Sequence, residues 1–283
     1  MKATPASKLH LDRAVRLHER KQREKFQQTL VEGPQAVREL LVHQPRLVRD
    51  VYFTKATLIS HPELRTLVEK TDVYHHPVNA DEIRELSQDA RGILAVINIP
   101  QPPRKASVLE GANLVIATAN VQDPGNVGSI IRVADAAGAD AVLLGKGSAE
   151  LWAPKVIRST AGSIFHLPVC DNVNVGKIDA DMESFGLQYL AADAGGDWDF
   201  ATLVDSANEE TYLGVPGEGP NLTEPTCWIV GNEAHGFDDV DISVDAVVSI
   251  PIYGKAESYN VATAASLLLT TTAMLQRKKH AGN

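Results

Sequence analysis

Three separate stretches of this chain share one pattern, a short apolar run that stops at a glycine-bearing turn. The first is NLVIATA at 113–119, followed by NVQDPGNVGSIIRVADAAGAD. The second is the run at 228–230, which ends in GNEAHGF, and the third is the run at 247–250, which ends in PIYGKAESYN. Unbroken apolar runs of this length suit strands buried on both faces. Glycine beyond such a strand lets backbone come close to a ligand. In parallel α/β sheets the ligand crevice lies outside the carboxyl ends of the strands. A fold that aligns the three runs would gather three loops around one cavity.

Two of the loops lead into helices. Asp123-Pro124-Gly125 marks a turn, and Asn126 opens a helix with Ile130, Ile131 and Ala134 on its apolar side. Arg132 follows six residues after Asn126. The third loop enters a long helix near Asn260, capped by Ser258 or Asn260. Its sequence, VATAASLLLTTTAML, is apolar nearly all round, as burial on several sides requires.

In chain order, Asn126-(x5)-Arg132, then Gly231-Asn232-Glu233 with Gly236, then Ile250-Pro251-(x2)-Gly254-(x3)-Ser258-Tyr259-Asn260 resemble the three signature motifs of the TrmH/SpoU methyltransferases, within the SPOUT superfamily. The resemblance spans about 113–276. It implies an α/β fold whose SPOUT domain carries a deep trefoil knot, although knots are otherwise nearly absent from proteins. It implies a small ribosomal-protein-like α/β RNA-binding domain before it, and a homodimer. It also implies methyl transfer from S-adenosylmethionine to a ribose 2′-hydroxyl of RNA, with no metal.

The resemblance carries residue roles with it. Gly231, Ile250 and Tyr259 would line the cofactor pocket, largely through backbone. Asn232, Pro251, Gly254 and Asn260 would shape it, with Thr118 close by. The family usually has leucine where this chain has Tyr259; a backbone contact survives that change. Arg132 is the expected catalytic residue. A guanidinium is almost always charged, so it is a poor base. A clamp on the RNA phosphate beside the target ribose suits it better. Asn126, Glu233, Ser258 and Asn260 match the other active-site positions. Asn126 would position Arg132 or backbone, and Glu233 would pair with Arg132 or bind ribose. Taken singly, they would be a helix cap, a surface acid and turn residues.

Charge matters because the net value, −9, argues against an RNA partner. Its distribution reverses that argument. Residues 171–225 carry twelve acids and one base, which leaves +2 on the rest, and residues 1–50 alone carry +5. RNA meets the local field, not the total. Residues 1–25 form a basic arm, helical from 8 to 26, in which Arg13, Arg16 and Arg20 are candidate phosphate contacts. Lys155 and Arg158, on a helix at 152–161, are two more. The competing interpretation is a solvated helix face with Glu–Lys pairs.

Short strands and helices alternate over 26–99, as in a small α/β sandwich. Strands are expected at 26–33, 49–54, 72–76 and 92–99, with Glu32 and Gly33 at a loop that could face RNA. PQPPRKA at 100–106 cannot continue a sheet interior and is the expected linker. The SPOUT domain then occupies 107–283, with further strands at 141–145, 165–169 and 186–194. The acidic, Gly- and Pro-rich 195–225 is expected to be a loop. GKGSAE after 145 lacks the third glycine of a dinucleotide fingerprint, which disfavours a nucleotide-dependent α/β enzyme. Cys170 and Cys227 sit in apolar contexts, as buried thiols of a reducing cytoplasm do. No Cys/His spacing suggests zinc. No apolar run approaches the length of a membrane span, and a cytoplasmic protein is expected. The two-part layout points to large-subunit rRNA as substrate. The alternatives are tRNA, or a non-catalytic RNA-binding or ribosome-assembly role.

Overall fold

The computed structural model describes residues 6–71, 73–231, 237 and 241–281, with side chains up to Lys279. From the amino end come α1 (Lys8–Arg16), α2 (Arg20–Phe26), β1 (Gln28–Glu32), α3 (Pro34–His43), β2 (Val48–Phe53), α4 (Lys55–Ser60), α5 (Pro62–Lys70), β3 (Tyr74–Pro77), α6 (Ala80–Leu86) and β4 (Ile93–Asn98). Then follow α7 (Lys105–Leu109), β5 (Leu114–Thr118), α8 (Pro124–Ala137), β6 (Ala141–Gly145), α9 (Pro154–Ser159), β7 (Val169–Val173), α10 (Asp179–Ser184) and β8 (Gln188–Ala192). The last are β9 (Trp198–Asp199), α11 (Phe200–Leu213), β10 (Thr226–Val230), β11 (Ala246–Ser249) and α12 (Val261–Ala281). Contacts divide the chain into two units, Met1–Gln101 with Glu150–His166, and Pro102–Ala149 with Leu167–Asn283.

The first unit is a four-stranded sheet in the order β1-β4-β2-β3. The apolar run of β4 sits in the middle, antiparallel to β1 and β2, and β3 adds in parallel on β2. Ala14 and Leu17, from α1 and the turn after it, pack with Leu30, Tyr52, Leu86 and Leu94 into one core. The amino-terminal basic segment is therefore part of this unit, not an appended arm. It is also two helices, because the chain breaks between Arg16 and Arg20. Phe26 ends α2 instead of starting a strand, and Gln27 turns the chain in a left-handed conformation.

An edge strand normally exposes half its backbone, yet every residue of β1 is buried. Residues 150–166 explain this. The Thr29 hydroxyl donates to the Trp152 carbonyl at 2.7 Å, and Arg158 Nη1 donates to Glu32 at 2.6 Å. Contacts thus assign α9 to the first unit, whereas its place in sequence suggested the second. Arg23 is also absorbed internally. Its side chain is only 5% exposed, and it meets Glu150 at 2.6 Å and the Leu17 and His18 carbonyls at 2.8 Å.

The second unit is a seven-stranded parallel sheet in the order β7-β6-β5-β10-β8-β11-β9. Its central strands are buried along their whole length, as strands covered on both faces are. Asp123 caps α8 by accepting from the Asn126 N–H at 2.9 Å, so the helix begins earlier than Asn126. Gly138 ends it in a left-handed conformation, where Arg277 of α12 donates to the Ala137 carbonyl at 3.1 Å. A side chain at Gly138 would collide with that guanidinium. Trp228 Nε1 donates to Thr272 at 3.1 Å, and Gln276 donates to the Asn113 and Glu224 carbonyls at 3.0 and 2.9 Å. These bonds fix α12 against β5, β10 and α8.

Three sequence expectations shift. The strand placed at 165–169 lies at Val169–Val173, because Ser163–Phe165 forms a 3-10 turn and Pro168 has no N–H to pair. The span 195–225 is not all loop. Asp199 caps α11, which buries Phe200, Leu203 and Ala207, so its acids occupy only the other faces. The linker at 100–106 overlaps the first residues of α7.

The Arg23–Glu150 pair supplies a test of the first unit. Glu150→Ala leaves a buried guanidinium without its counter-ion and should cost about 3 kcal/mol in urea unfolding. Arg20→Ala, which removes a largely exposed partner of Glu24, should barely move the same midpoint.

Candidate active site

Parallel register brings three strand ends to one level. Val230 of β10 lies opposite Thr118 of β5 and Ala192 of β8, and Ala192 lies opposite Val248 of β11. The Ala119 N–H donates to the Val230 carbonyl at 2.8 Å, tying the first two loops together as they leave the sheet. Beyond the ends of β8, β10 and β11 lies a cavity of about 180 Å³. Ala192, Asp193 and Ala194 line it from β8, Val230 and Gly231 from β10, and Ile250 and Ile252 from β11. Ser258, Tyr259, Val261 and Ala264 close it where α12 begins. The described walls are mostly apolar, and the Asp193 carboxylate is the one charged group among them.

Of the expected cofactor residues, Gly231, Ile250 and Tyr259 line this cavity, and Ser258 joins them from the catalytic set. Asn232 and Glu233 lie outside the described residues. Pro251, Gly254 and Asn260 stand beside the cavity without lining it. A side chain at Gly254 would meet nothing within 4 Å, so sterics there do not require glycine. Thr118 is turned away. It is fully buried, with its hydroxyl 3.2 Å from that of Ser148 and 3.4 Å from the Gly145 N–H. A side chain at Gly145 would run into the Thr118 carbonyl. Thr118 therefore holds β6 against β5.

Asn260 does two jobs. Its Oδ1 accepts from the Ala262 and Thr263 N–H groups at 3.0 and 3.3 Å, which caps α12. Its Nδ2 donates to Asn126 Oδ1 at 3.0 Å. The first and third motifs are thus joined by a direct bond across 134 residues of sequence. Tyr259 also has a role of its own, since its hydroxyl donates to the Pro251 carbonyl at 3.2 Å and closes the 251–259 loop on itself. A leucine could not make that bond.

Arg132 projects from α8 into solvent and has no hydrogen-bond or ion-pair partner among the described residues. Six residues at 3.6 per turn put it about 120° around the helix from Asn126. Asn126 accordingly reaches Asn260 and does not hold Arg132.

Asp193 is the one charged residue among the described lining, and the sequence reading missed it, as it did the apolar Ile252, Val261 and Ala264. Asp193 is half-buried, and its Oδ1 accepts from the Gly195 N–H at 2.9 Å, which sets the carboxylate in an Asx-type turn. The signal was present: β8 is followed by an acid, an alanine and two glycines, a fourth strand end of the same kind.

The expected phosphate contacts belong to the first unit and divide by their partners. Arg158 is engaged by Glu32 at 2.6 Å and Asp89 at 2.8 Å, so its charge is already neutralised within the protein. Glu32 is itself buried and accepts from Ser87, so its side chain is engaged inside the protein. Arg20 meets Glu24 at 2.8 Å. Arg16 and Lys155 are exposed. Arg13 is half-buried over the Phe26 ring, 4.7 Å from its centre. Cys170 and Cys227 are free and buried, and burial pushes both thiols up, away from the reactive thiolate.

The sequence model of the SpoU rRNA Methylase family matches residues 113–270, a span that contains all three loops. The chain belongs to this family. Among SpoU relatives it is similar to the 23S rRNA (guanosine(2553)-2′-O)-methyltransferase RlmP of Bacillus subtilis, with 33% identity over 90% of this chain and 92% of the relative. It is 27% identical to the 23S rRNA (guanosine-2′-O-)-methyltransferase RlmB of Pseudomonas putida, over 84% and 92% of the two chains. Its fold is similar to that of the SpoU methyltransferase AviRb of Streptomyces viridochromogenes, solved in complex with AdoMet. That match has a TM-score of 0.75 and 25% identity, and covers 94% of this chain and 98% of the other.

The double role of Asn260 can be separated. Asn260→Ala removes cap and link together and should lower stability by about 1 kcal/mol. Asn260→Asp keeps the accepting oxygen and should unfold near the wild-type temperature while losing the bond to Asn126. Calorimetric scans of both variants check this. Equal destabilisation of the two would refute the capping role.

Proposed function

We propose that this chain transfers a methyl group from S-adenosylmethionine to a ribose 2′-hydroxyl of large-subunit ribosomal RNA. The observation that carries the reading is one cavity at the ends of β8, β10 and β11, floored by α12 and linked to α8 through Asn260 and Asn126. The relative from Bacillus subtilis, alike over nine-tenths of this chain, supports the substrate class.

The residues fit the cofactor. Ile250, Ile252 and Ala264 offer apolar surface for an adenine, Gly231 lets backbone approach, and the Asp193 carboxylate can accept from sugar hydroxyls. When bound, S-adenosylmethionine supplies a methyl group already activated on a sulfonium. The protein has mainly to orient the two partners. Ser258 stands exposed at the rim, where a hydroxyl can hydrogen-bond the incoming ribose. Arg132 clamps the phosphate beside that ribose and lowers the cost of negative charge growing on its oxygen. Asn126 and Asn260 keep α8 and the start of α12 in register, and so hold Arg132 relative to the cavity. Glu233 and Asn232 belong to the same proposal as ribose and cofactor contacts, by their place in the second motif.

The same reading makes the protein a homodimer whose carboxyl-terminal helix is threaded as a knot. Leu267 and Met274, seven residues apart on α12, are 39% and 57% exposed, an apolar strip suited to a second copy. Among the described residues no helix is long and apolar enough to cross a membrane. A cytoplasmic place of work, beside the ribosome, is part of the proposal.

Incubation of the protein with labelled cofactor and ribosomal RNA from a strain lacking its gene tests this. Wild type should label one ribose in the 23S rRNA. Arg132→Ala should reduce transfer by about 10²- to 10³-fold, with cofactor affinity by calorimetry unchanged. Transfer by Arg132→Ala at the wild-type rate would remove that residue from the chemistry.

A further inference from the structure

We propose that the first unit contains a pocket for a single splayed-out nucleotide of an RNA strand, bounded by α1, β2 and β3. Tyr74 is its stacking face, and Arg13 and Arg49 are its phosphate cations. The idea rests on the chain acting on RNA, but it uses none of the methyl-transfer residues.

A cavity of about 480 Å³ lies there, within the range of pockets that take a small ligand. Its wall is aromatic. The His76 ring stacks on Tyr52 with centres 4.8 Å apart and an angle of 26°, and the His10 ring lies 5.9 Å from His76. Tyr74 stands at the rim on edge strand β3, 61% exposed. An exposed ring beside a basic cavity is the usual platform for an unstacked base, because every base offers a flat face.

Among the described residues Arg13 is set apart from the protein's own acids, whereas Arg49 shares Asp50. Asp50 is the sole acid among the lining residues. It is already met by His76 at 3.0 Å and by Arg49 at 3.4 Å. Arg13 has no carboxylate partner among the described residues. Its Nη2 donates to Gln28 at 3.3 Å, and its Nε is buried with no hydrogen-bond partner. Elsewhere in this unit the buried or bridging arginines, Arg23 and Arg158, each meet a carboxylate within 2.6 Å. An arginine held in place by Phe26 and Gln28, and left without a counter-ion, is positioned for an anion from outside. Arg16, one turn further along α1, is exposed but shares its surface with Asp12 and Glu85. The choice of a strand over a free mononucleotide follows from the RNA substrate proposed above.

The test uses the full-length protein and a labelled single-stranded fragment of 23S rRNA, by fluorescence anisotropy over a salt series. Tyr74→Ala, at an exposed position, should weaken binding about tenfold. Tyr74→Phe keeps the ring and should bind as wild type. Arg13→Gln should weaken binding and reduce the salt slope by about one. All three should keep wild-type affinity for S-adenosylmethionine. Unchanged RNA affinity in both Tyr74→Ala and Arg13→Gln overturns the pocket. So does saturation by guanosine monophosphate without competition against the RNA. Methyl transfer by wild type alongside silent Tyr74 and Arg13 variants would discard the pocket and leave the enzyme intact. Loss of RNA affinity in those variants, with no transfer by wild type, would do the reverse.

Discussion

Everything at the cavity depends on where β10 enters the sheet. It pairs in parallel with β5 on one side and β8 on the other, although both lie earlier in the chain. The register is exact enough that Thr118, Val230 and Ala192 finish at one level. Because all strands run the same way, their carboxyl ends open on one edge, and a loop cannot leave that edge elsewhere. A slip of one residue would turn every side chain of β10 to the opposite face. It would bring Trp228 out of its place against Thr272 and Phe200. Core packing thus sets the position of Gly231, and the chemistry inherits it.

The architecture was legible wherever one local rule dominated. The unbroken apolar runs of β5, β6 and β10 gave those strands, because burial on both faces leaves no choice of residue. Failures came where tertiary contact decided. The acids of α11 suggested a loop, yet an amphipathic helix needs only one apolar face, and Phe200, Leu203 and Ala207 supply it. The place of residues 150–166 depends on an edge strand that needed covering, which no spacing encodes. Nor does spacing reveal that Glu39 gathers His43 and His166, their ligand atoms all within 4.8 Å, from positions 127 residues apart at the extreme.

The site divides in the same way. Gly231, Ile250, Ser258 and Tyr259 were readable because they follow strand ends directly. Asp193 follows one too, but it belongs to no motif. The Asn126–Asn260 bond is a pairing between side chains, and residue types alone left Asn126 free to be a cap or a support for Arg132. Geometry gives the cap to Asp123 and the link to Asn260. Tyr259 is instructive in the other direction. A departure from the family's leucine looks like a lost apolar contact, until the phenol is found closing the loop on Pro251.

Arginine counting shows why charge composition alone misleads. Arg23 and Arg158 contribute to the positive sequence balance, but each is matched by a carboxylate and acts in the fold. A cation so paired would have to break a short ion pair before meeting a phosphate. Among the described residues Arg132 has nothing to break. None of them holds it either, so a long side chain pays rotamer entropy when it is fixed. That cost falls only when an anion is present to engage it. In the proposed role of phosphate clamp, Arg132 would therefore do little to the empty site and much to the loaded one, which is how stabilisation reserved for the reacting complex must be distributed.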